Sequence, residues 1–318
     1  MSWKDDFLTL YTSAENGDHV KALTLKREHL PKKLYRYRPL TKPDNIKDEI
    51  CNGNVFLAPP FMMNDPFDSC SLLREHHPLT YMRTKAEFEN RFEPIMDKGV
   101  FEKIFNSPNW LDNLIAYIAA KYVAPTEIDS AKETVIRIMM EELEKLNTSL
   151  NDMIWKTSRF ACFTEKPTNL PMWNHYAQEH KGICVEYDTD SIDNIYCINR
   201  FFPVYYTDRL PDGTELMGSK KIPTYAFTDY FLIHKLKDWS YESEWRLIYD
   251  VGSWYRSPED VPDDFWDKGK VIKLALPSKV FLGTKIPPSD EEQIRKWCNE
   301  IGTPVQKMKC TEYGLIAE

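Results

Sequence analysis

From about residue 78 to residue 152 the chain offers no strand candidate, while strand-like runs lie on both sides. Ile128, Ala131, Val135, Ile138 and Met139 recur there at helical spacing, and "NWLDNLIAYIAAKYV" (109–123) repeats the pattern. Any sheet built from the flanking strands must therefore accept a helical insertion. The flanking strands and helices do not alternate strictly, which favours an α+β fold over a doubly wound sheet. The expected organisation is one α+β domain over residues 1–318, with 78–152 inserted into it. A chain of 318 residues buries a core without disulfide support.

Residues 1–30 read as helical and peripheral. "KLYRYRPL" (33–40) reads as a strand stopped by Pro39, and "NIKDEICNGNVFLAPP" (45–60) as a helix, a turn at Asn52-Gly53 and a second strand. "MMNDPFDS" (62–69) is a turn pivoting on Asp65-Pro66. Past the insertion come the strand "SRFACFTE" (158–165) and a helix with Asn169 as N-cap, Pro171 in its first turn and Gly182 just past its end. "GICVEYD" (182–188) and "RFFPVYYTD" (200–208) are strands, and 224–238 reads as a helix. The C-terminal part supplies "KVIKLALP", "KVFLG", two short final strands, and the helix "SDEEQIRKWCNEIG", with Ser289 and Glu292 as a capping box and Gly302 at its end.

A net charge of −8 argues against a protein whose main task is gripping nucleic acid phosphates. One run opposes that average: Lys21, Lys26, Arg27, Lys32, Lys33, Arg36 and Arg38 against Glu28, which is a solvated face or a local polyanion patch. The seven cysteines are never spaced C-x-x-C, which suits reduced thiols in a cytoplasm. The N-terminus lacks the order of a signal peptide, and no apolar run approaches the ~20 residues of a bilayer span. A cytoplasmic protein with no membrane partner is expected. No G-x-G-x-x-G occurs, and "GTELMGSK" (213–220) has Gly-Ser-Lys where a phosphate loop needs Gly-Lys-Ser/Thr, so it reads as an ordinary loop. His175 and His180 fall on different helix faces, which disfavours a two-histidine zinc site.

The segment "DWSYESEWRLIYD" (238–250) alternates as a strand, with Trp239, Tyr241, Ser243, Trp245, Leu247 and Tyr249 on one face. Ser240, Glu242, Glu244, Arg246 and Ile248 take the other. Carboxylates at i and i+2 on a strand lie roughly 6–7 Å apart and repel. Glu242 and Glu244 are thus either a solvated edge neutralised by Arg246, or the floor of a site pinned by the tryptophans. Arg36 and Arg38, on one face of another strand, need anionic partners if buried. Trp173, Tyr176, Ala177 and His180 share a helix face, as core or as a wall for a flat ring. Asp65 and Asp68 cap a turn, or bind a hard cation with the two glutamates.

In this order, "LYRYRPL", "NDPFDS", "ACFTE…MWNHYAQEHKGICVEYD" and "WSYESEWRLI" resemble a bacterial family of unknown function numbered 2971, over residues 33–318 apart from the insertion. More remotely, the same order is similar to the core of ADP-ribosyltransferases. "LYRYRPL…NIKDEICNGNVFLAP" is similar to the entry of DNA-targeting toxins of that group, with Arg36 where they carry histidine. Cys162-Phe163-Thr164 stands where the group has Ser-x-Ser, and "ESE" matches its E-x-E. This resemblance implies a mixed, mostly antiparallel split sheet and NAD as the consumed substrate. It implies that Glu244 stabilises the cleaving ribose and Glu242 serves the acceptor. Arg36 or Arg38 would hold the phosphates, Thr164 would hydrogen-bond near the ribose or orient Glu244, and Trp173 or Tyr176 would face nicotinamide. The expected activity is transfer of ADP-ribose to a protein or nucleic acid, or hydrolysis of NAD, in a toxin or phage-defence effector. Two rivals stay open: a non-catalytic ligand-sensing or protein-interaction module of the same fold, and a metal-dependent phosphodiesterase or nuclease on Asp65, Asp68, Glu242 and Glu244.

Overall fold

β1 (Lys33–Arg38) pairs antiparallel with β4 (Ile183–Asp188) along its whole length, and β3 (Ser158–Thr164) does the same with β8 (Glu244–Asp250). β1 and β3 are neighbours too, but they share one register pair, Tyr35 with Thr164. The computed structural model describes residues 2–73, 85–86, 90, 97–122, 124–213, 223–253 and 257–318, and in it these strands belong to one mixed sheet. Its order is β12-β11-β10-β4-β1-β3-β8-β5, with β5 Phe201–Pro203, β10 Lys279–Leu282, β11 Val305–Thr311 and β12 Gly314–Ala317. Every described pairing in it is antiparallel except β10 with β11. Where β1 departs from β3, Ala58 takes over: it exchanges amide–carbonyl bonds of 2.8 and 2.9 Å with Phe160. Ala58 follows β2 (Asn54–Leu57), which pairs with β9 (Lys270–Lys273) in a separate ribbon. The sheet is therefore parted at β1/β3, and the gap opens a space between strands.

Both faces of the sheet are covered, so its central strands are apolar on both sides. Leu34, Ala161, Phe163, Val185, Tyr187, Trp245 and Leu247 meet on one face, and Tyr37, Met172, Trp173, Cys184 and Phe281 belong to a second cluster. Alternation within β1 sends Tyr35 and Tyr37 to one side and Leu34, Arg36 and Arg38 to the other. The helix α3 (Pro43–Asn52) ends at Gly53, φ +63°, where a Cβ would fall 2.5 Å from the Ala275 carbonyl oxygen, so only glycine fits.

The chain divides into two compact units. The first holds Met1–Cys70, Met153–Leu210 and Lys221–Glu318, and the second holds Ser71–Asp152 with Pro211–Lys220. The described part of the second unit is helical, with Lys98–Phe105, Trp110–Tyr122 and most of Ile128–Thr157. Phe101, Phe105, Leu114, Ile118, Val135 and Ile138 form its own core.

Several expectations change. The N-terminal helices α1 (Trp3–Tyr11) and α2 (Asp18–Glu28) form but are not peripheral, since Phe7, Tyr11 and Ala22 are buried. Lys26 is buried as well, its Nζ 4.0 Å from the Phe202 ring centroid. The basic run is likewise dispersed: Lys21 pairs with Asp18, Lys33 with Asp188, and Arg36 and Arg38 with Glu49. The helix expected over 224–238 stops at Leu232; His234–Leu236 becomes β7, because its backbone pairs in parallel with β6 (Tyr205–Thr207). "RFFPVYYTD" is two strands, β5 and β6, parted at Val204, whose amide bonds the Glu244 carbonyl instead. The capping box at Ser289 does not form: the helix starts at Pro288, whose fixed φ suits the first helical position. Of "GTELMGSK", Gly213 alone lies within the described residues.

Candidate active site

The glutamate segment is not one strand. Lys237–Glu242 is a 3-10 helix, Ser243 takes the left-handed region at φ +46°, and β8 begins at Glu244. The expected alternation through 238–243 fails because Lys237–Glu242 coils into a 3-10 helix and left-handed Ser243 then turns the chain into β8. Its consequence is chemical. Glu242 and Glu244 converge on the ammonium of Lys235, 2.6 Å from Glu242 Oε2 and 3.6 Å from Glu244 Oε2. The glutamates are 2% and 4% exposed, and β8 runs between β3 and β5, so a solvated edge is excluded.

Two more charged groups complete the floor. Arg246 Nε donates to Glu244 Oε1 at 2.8 Å, while its Nη1 and Nη2 grip Asp68 at 2.7 and 2.8 Å. Lys235 also lies 3.6 Å from Asp68. Three carboxylates thus face two cations, all buried. Burial first, and the Glu244 charge second, push Glu242 up to about 7. Burial would raise Glu244 as well, but Arg246 and Lys235 overcome it and hold that carboxyl down at about 2. Lys235 is raised: burial works against its charge, and Glu244 and Asp68 outweigh that. One carboxylate is therefore held ionised at neutral pH while its neighbour titrates near neutrality, a division that suits acid–base work.

Above this floor lies a cavity of about 80 Å³, lined by Tyr35, Tyr37, Met63, Cys162, Thr164 and Tyr176 among others. At roughly 10–15 Å³ per water by this measure, it holds a half-dozen waters or one small ring. An outer cleft of about 440 Å³ shares Tyr37, Met63, Asn64, Cys162 and Tyr176 with it and is also lined by Arg36, Arg38, Phe56, Ala58 and Phe160. This cleft occupies the parting of β1 from β3. Its two arginines share one buried anion, Glu49, with Arg36 Nη1 and Arg38 Nε at 2.9 and 3.0 Å from Oε2. Neither N–H is aligned for a hydrogen bond to it. Glu49 also accepts from the Tyr187 hydroxyl at 2.9 Å. Two guanidiniums against one carboxylate leave a positive surplus beside the cleft.

The remaining sequence-derived residues fall as follows. Thr164 lines the inner cavity, but its hydroxyl donates to the Glu242 carbonyl oxygen at 2.5 Å, fixing the turn rather than Glu244. Tyr176 donates to Glu242 Oε1 at 2.6 Å and borders both spaces. Trp173 is fully buried, its indole donating to the Pro167 carbonyl at 2.7 Å, so it belongs to the core and offers no face to a ring. Asp65 accepts from the Phe67 amide at 2.9 Å and caps its turn. Among the described residues no group of three His, Cys, Asp or Glu is placed to hold a metal ion. Sequence reasoning missed Lys235 and Glu49, the first hidden in a presumed helix, the second in a helix read for its fold alone. One further signal is conformational. Among the described residues, the non-glycine residues with positive φ are Ser69, Gln178, Glu179, His180 and Ser243. Ser69 follows Asp68, Ser243 separates the two glutamates, and the other three follow shortly after Tyr176. Left-handed L-residues cost on the order of 1–2 kcal/mol each, so their gathering here marks a place where geometry outweighs stability.

A family model described as a protein of unknown function (DUF2971) matches residues 172–247. The match spans Tyr176, Lys235, Glu242, Glu244 and Arg246, but not Asp68, Thr164 or the arginines of β1. It supports that family over this segment, which is shorter than the 33–318 expected. No curated protein and no solved structure matches the chain. Among the described residues no helix is long and apolar enough to cross a membrane.

Proposed function

We propose that this protein consumes NAD+ and transfers its ADP-ribose to a macromolecule. One observation carries the reading: two neighbouring buried carboxylates, one held ionised and one titrating near neutrality, lie under a ring-sized chamber that shares five lining residues with an arginine-lined cleft. The chamber takes nicotinamide, and the surplus positive charge of Arg36 and Arg38 meets the diphosphate. As the ribose C1′–nitrogen bond breaks, its electron pair leaves with neutral nicotinamide and positive charge develops on the ribose. Glu244, ionised and fixed by Arg246, is placed to stabilise that charge. The acceptor's X–H attacks C1′ and its proton passes to Glu242, whose proton affinity suits that exchange at neutral pH. Tyr176 orients Glu242, and Lys235 keeps Glu244 charged.

The test is nicotinamide release from NAD+ by the purified protein with cell lysate, beside Glu244→Gln. Release by the wild type should fall about 10²–10³-fold in the variant, the size of a lost transition-state charge contact. Absence of release by the wild type, or equal release by the variant, would overturn the reading in favour of a binding module.

A further inference from the structure

The loop that supplies Met63 and Asn64 to the cavity and Asp68 to its floor is turned the wrong way for a buried segment. Phe61, Met62 and Phe67 are 44%, 51% and 53% exposed, and Asn64 and Pro66 between them are exposed too. Its two aspartates point inward and are buried. At the start of the pocket-lining helix (Leu170–Tyr176), Leu170 is 48% exposed. The outward surface of residues 61–67 is thus aromatic and thioether-rich and carries no charge of either sign. Large apolar side chains gathered in water signal contact with another molecule. Phe and Met are enriched in protein interfaces, whereas surfaces that grip nucleic acid present lysine and arginine to phosphates. No lysine or arginine occurs from Ala58 to Leu73, and the chain as a whole carries −8.

We infer that Phe61, Met62 and Phe67 dock a protein acceptor, seating an apolar segment of it beside the cavity so that its nucleophile reaches the ribose. The inference rests on the NAD-consuming reading and adds the acceptor class to it. Met62 also lines the outer cleft, whereas Phe61 and Phe67 line neither cavity, so removing those two spares bond cleavage. It removes the means of holding the acceptor.

The experiment uses full-length protein with Phe61 and Phe67 changed to serine and Met62 kept, and NAD+ labelled on its adenosine half. Nicotinamide release without lysate reports cleavage, and label recovered in protein and in nucleic acid from lysate reports transfer. The expected result is release within about twofold of wild type, since neither phenylalanine lines either cavity. Protein labelling should drop at least tenfold, about the effect of losing interface anchors. Unchanged protein labelling in the double variant would overturn the docking surface and leave the NAD reading standing. So would label appearing in nuclease-sensitive material, or label confined to the protein itself together with a wild-type dimer that the variant lacks. Absence of nicotinamide release by the wild type would overturn both. Should the double variant not fold, Phe67→Ser alone, at the more exposed of the two positions, carries the same comparison.

Discussion

Glu242 shows at residue scale how burial sets chemistry. In an unfolded chain its carboxyl titrates near 4.5, and in the folded protein at about 7, so between those values the native state binds the extra proton. Stability contributed by that proton is present below the unfolded value and is lost as pH rises through the folded one. Glu244 works in reverse: the stability its charge contributes is lost progressively as pH falls from the unfolded value near 4.5 through its depressed value near 2. Two readouts follow from the Glu242 shift. Transfer should rise roughly tenfold per pH unit below about 7 and level off above it, as Glu242 becomes able to take the acceptor proton. The urea midpoint should fall between about pH 5 and 7 in the wild type, and Glu242→Gln should flatten both curves. A rate limb that persists in Glu242→Gln would assign the proton to another group. The identities of the two glutamates were legible in the sequence, because carboxylates bracketed by tryptophans stand out. Their convergence was not: the alternation of 238–243 is consistent with a strand, and nothing in the residue type of Ser243 announces a left-handed turn.

At the scale of elements, short pieces do the positioning. The helix Leu170–Tyr176 is too brief to stand by propensity. Asn169 holds it twice over, its Oδ1 accepting from the Met172 amide at 3.3 Å and its Nδ2 donating to the Tyr241 carbonyl. The second bond ties the helix start to the turn that carries Glu242. Asn169→Ala should cost about 1–2 kcal/mol, combining a lost N-cap with a lost hydrogen bond, read as a lowered urea midpoint at unchanged slope. It should also lower transfer more than Asn169→Asp, which keeps the cap. Equal stability of the alanine variant and wild type would mean that packing of Met172 and Trp173 alone seats the helix. This cap was readable from sequence, since Asn followed by Leu-Pro is a local signal. The end of the same helix was not: instead of running to Gly182, it stops at Tyr176 and passes through left-handed residues 178–180. Strand β7 was hidden for a related reason, because its three residues pair only through a tertiary partner that a local pattern cannot see.

For the whole molecule, the helical stretch stood out from its missing strands, since an absence sustained over so many residues outweighs local ambiguity. The sheet order could not be read that way, because the strands that pair, β1 with β4 and β3 with β8, are far apart in sequence and meet by mutual burial. The two units have separate cores: the clusters around Leu34 and Tyr37 draw every member from the first, and those around Phe101 and Leu73 from the second. All described residues lining either cavity belong to the first unit. The second unit is also closed at its base, where the Leu73 amide donates to Asn147 Oδ1 at 2.7 Å and the Ser71 amide to Asn151 Oδ1 at 2.9 Å. Its entry segment and its exit helix are thus within hydrogen-bond reach, and a short Gly/Ser linker can join Leu73 to Asn147 at small loop-closure cost. A chain with residues 74–146 replaced by such a linker should unfold in one cooperative transition and release nicotinamide within about twofold of the intact protein. Retained cleavage with lost protein labelling would assign the second unit to acceptor selection. Loss of both, in a chain that still unfolds cooperatively, would show that the carboxylate floor depends on the second unit, against the separation of their cores.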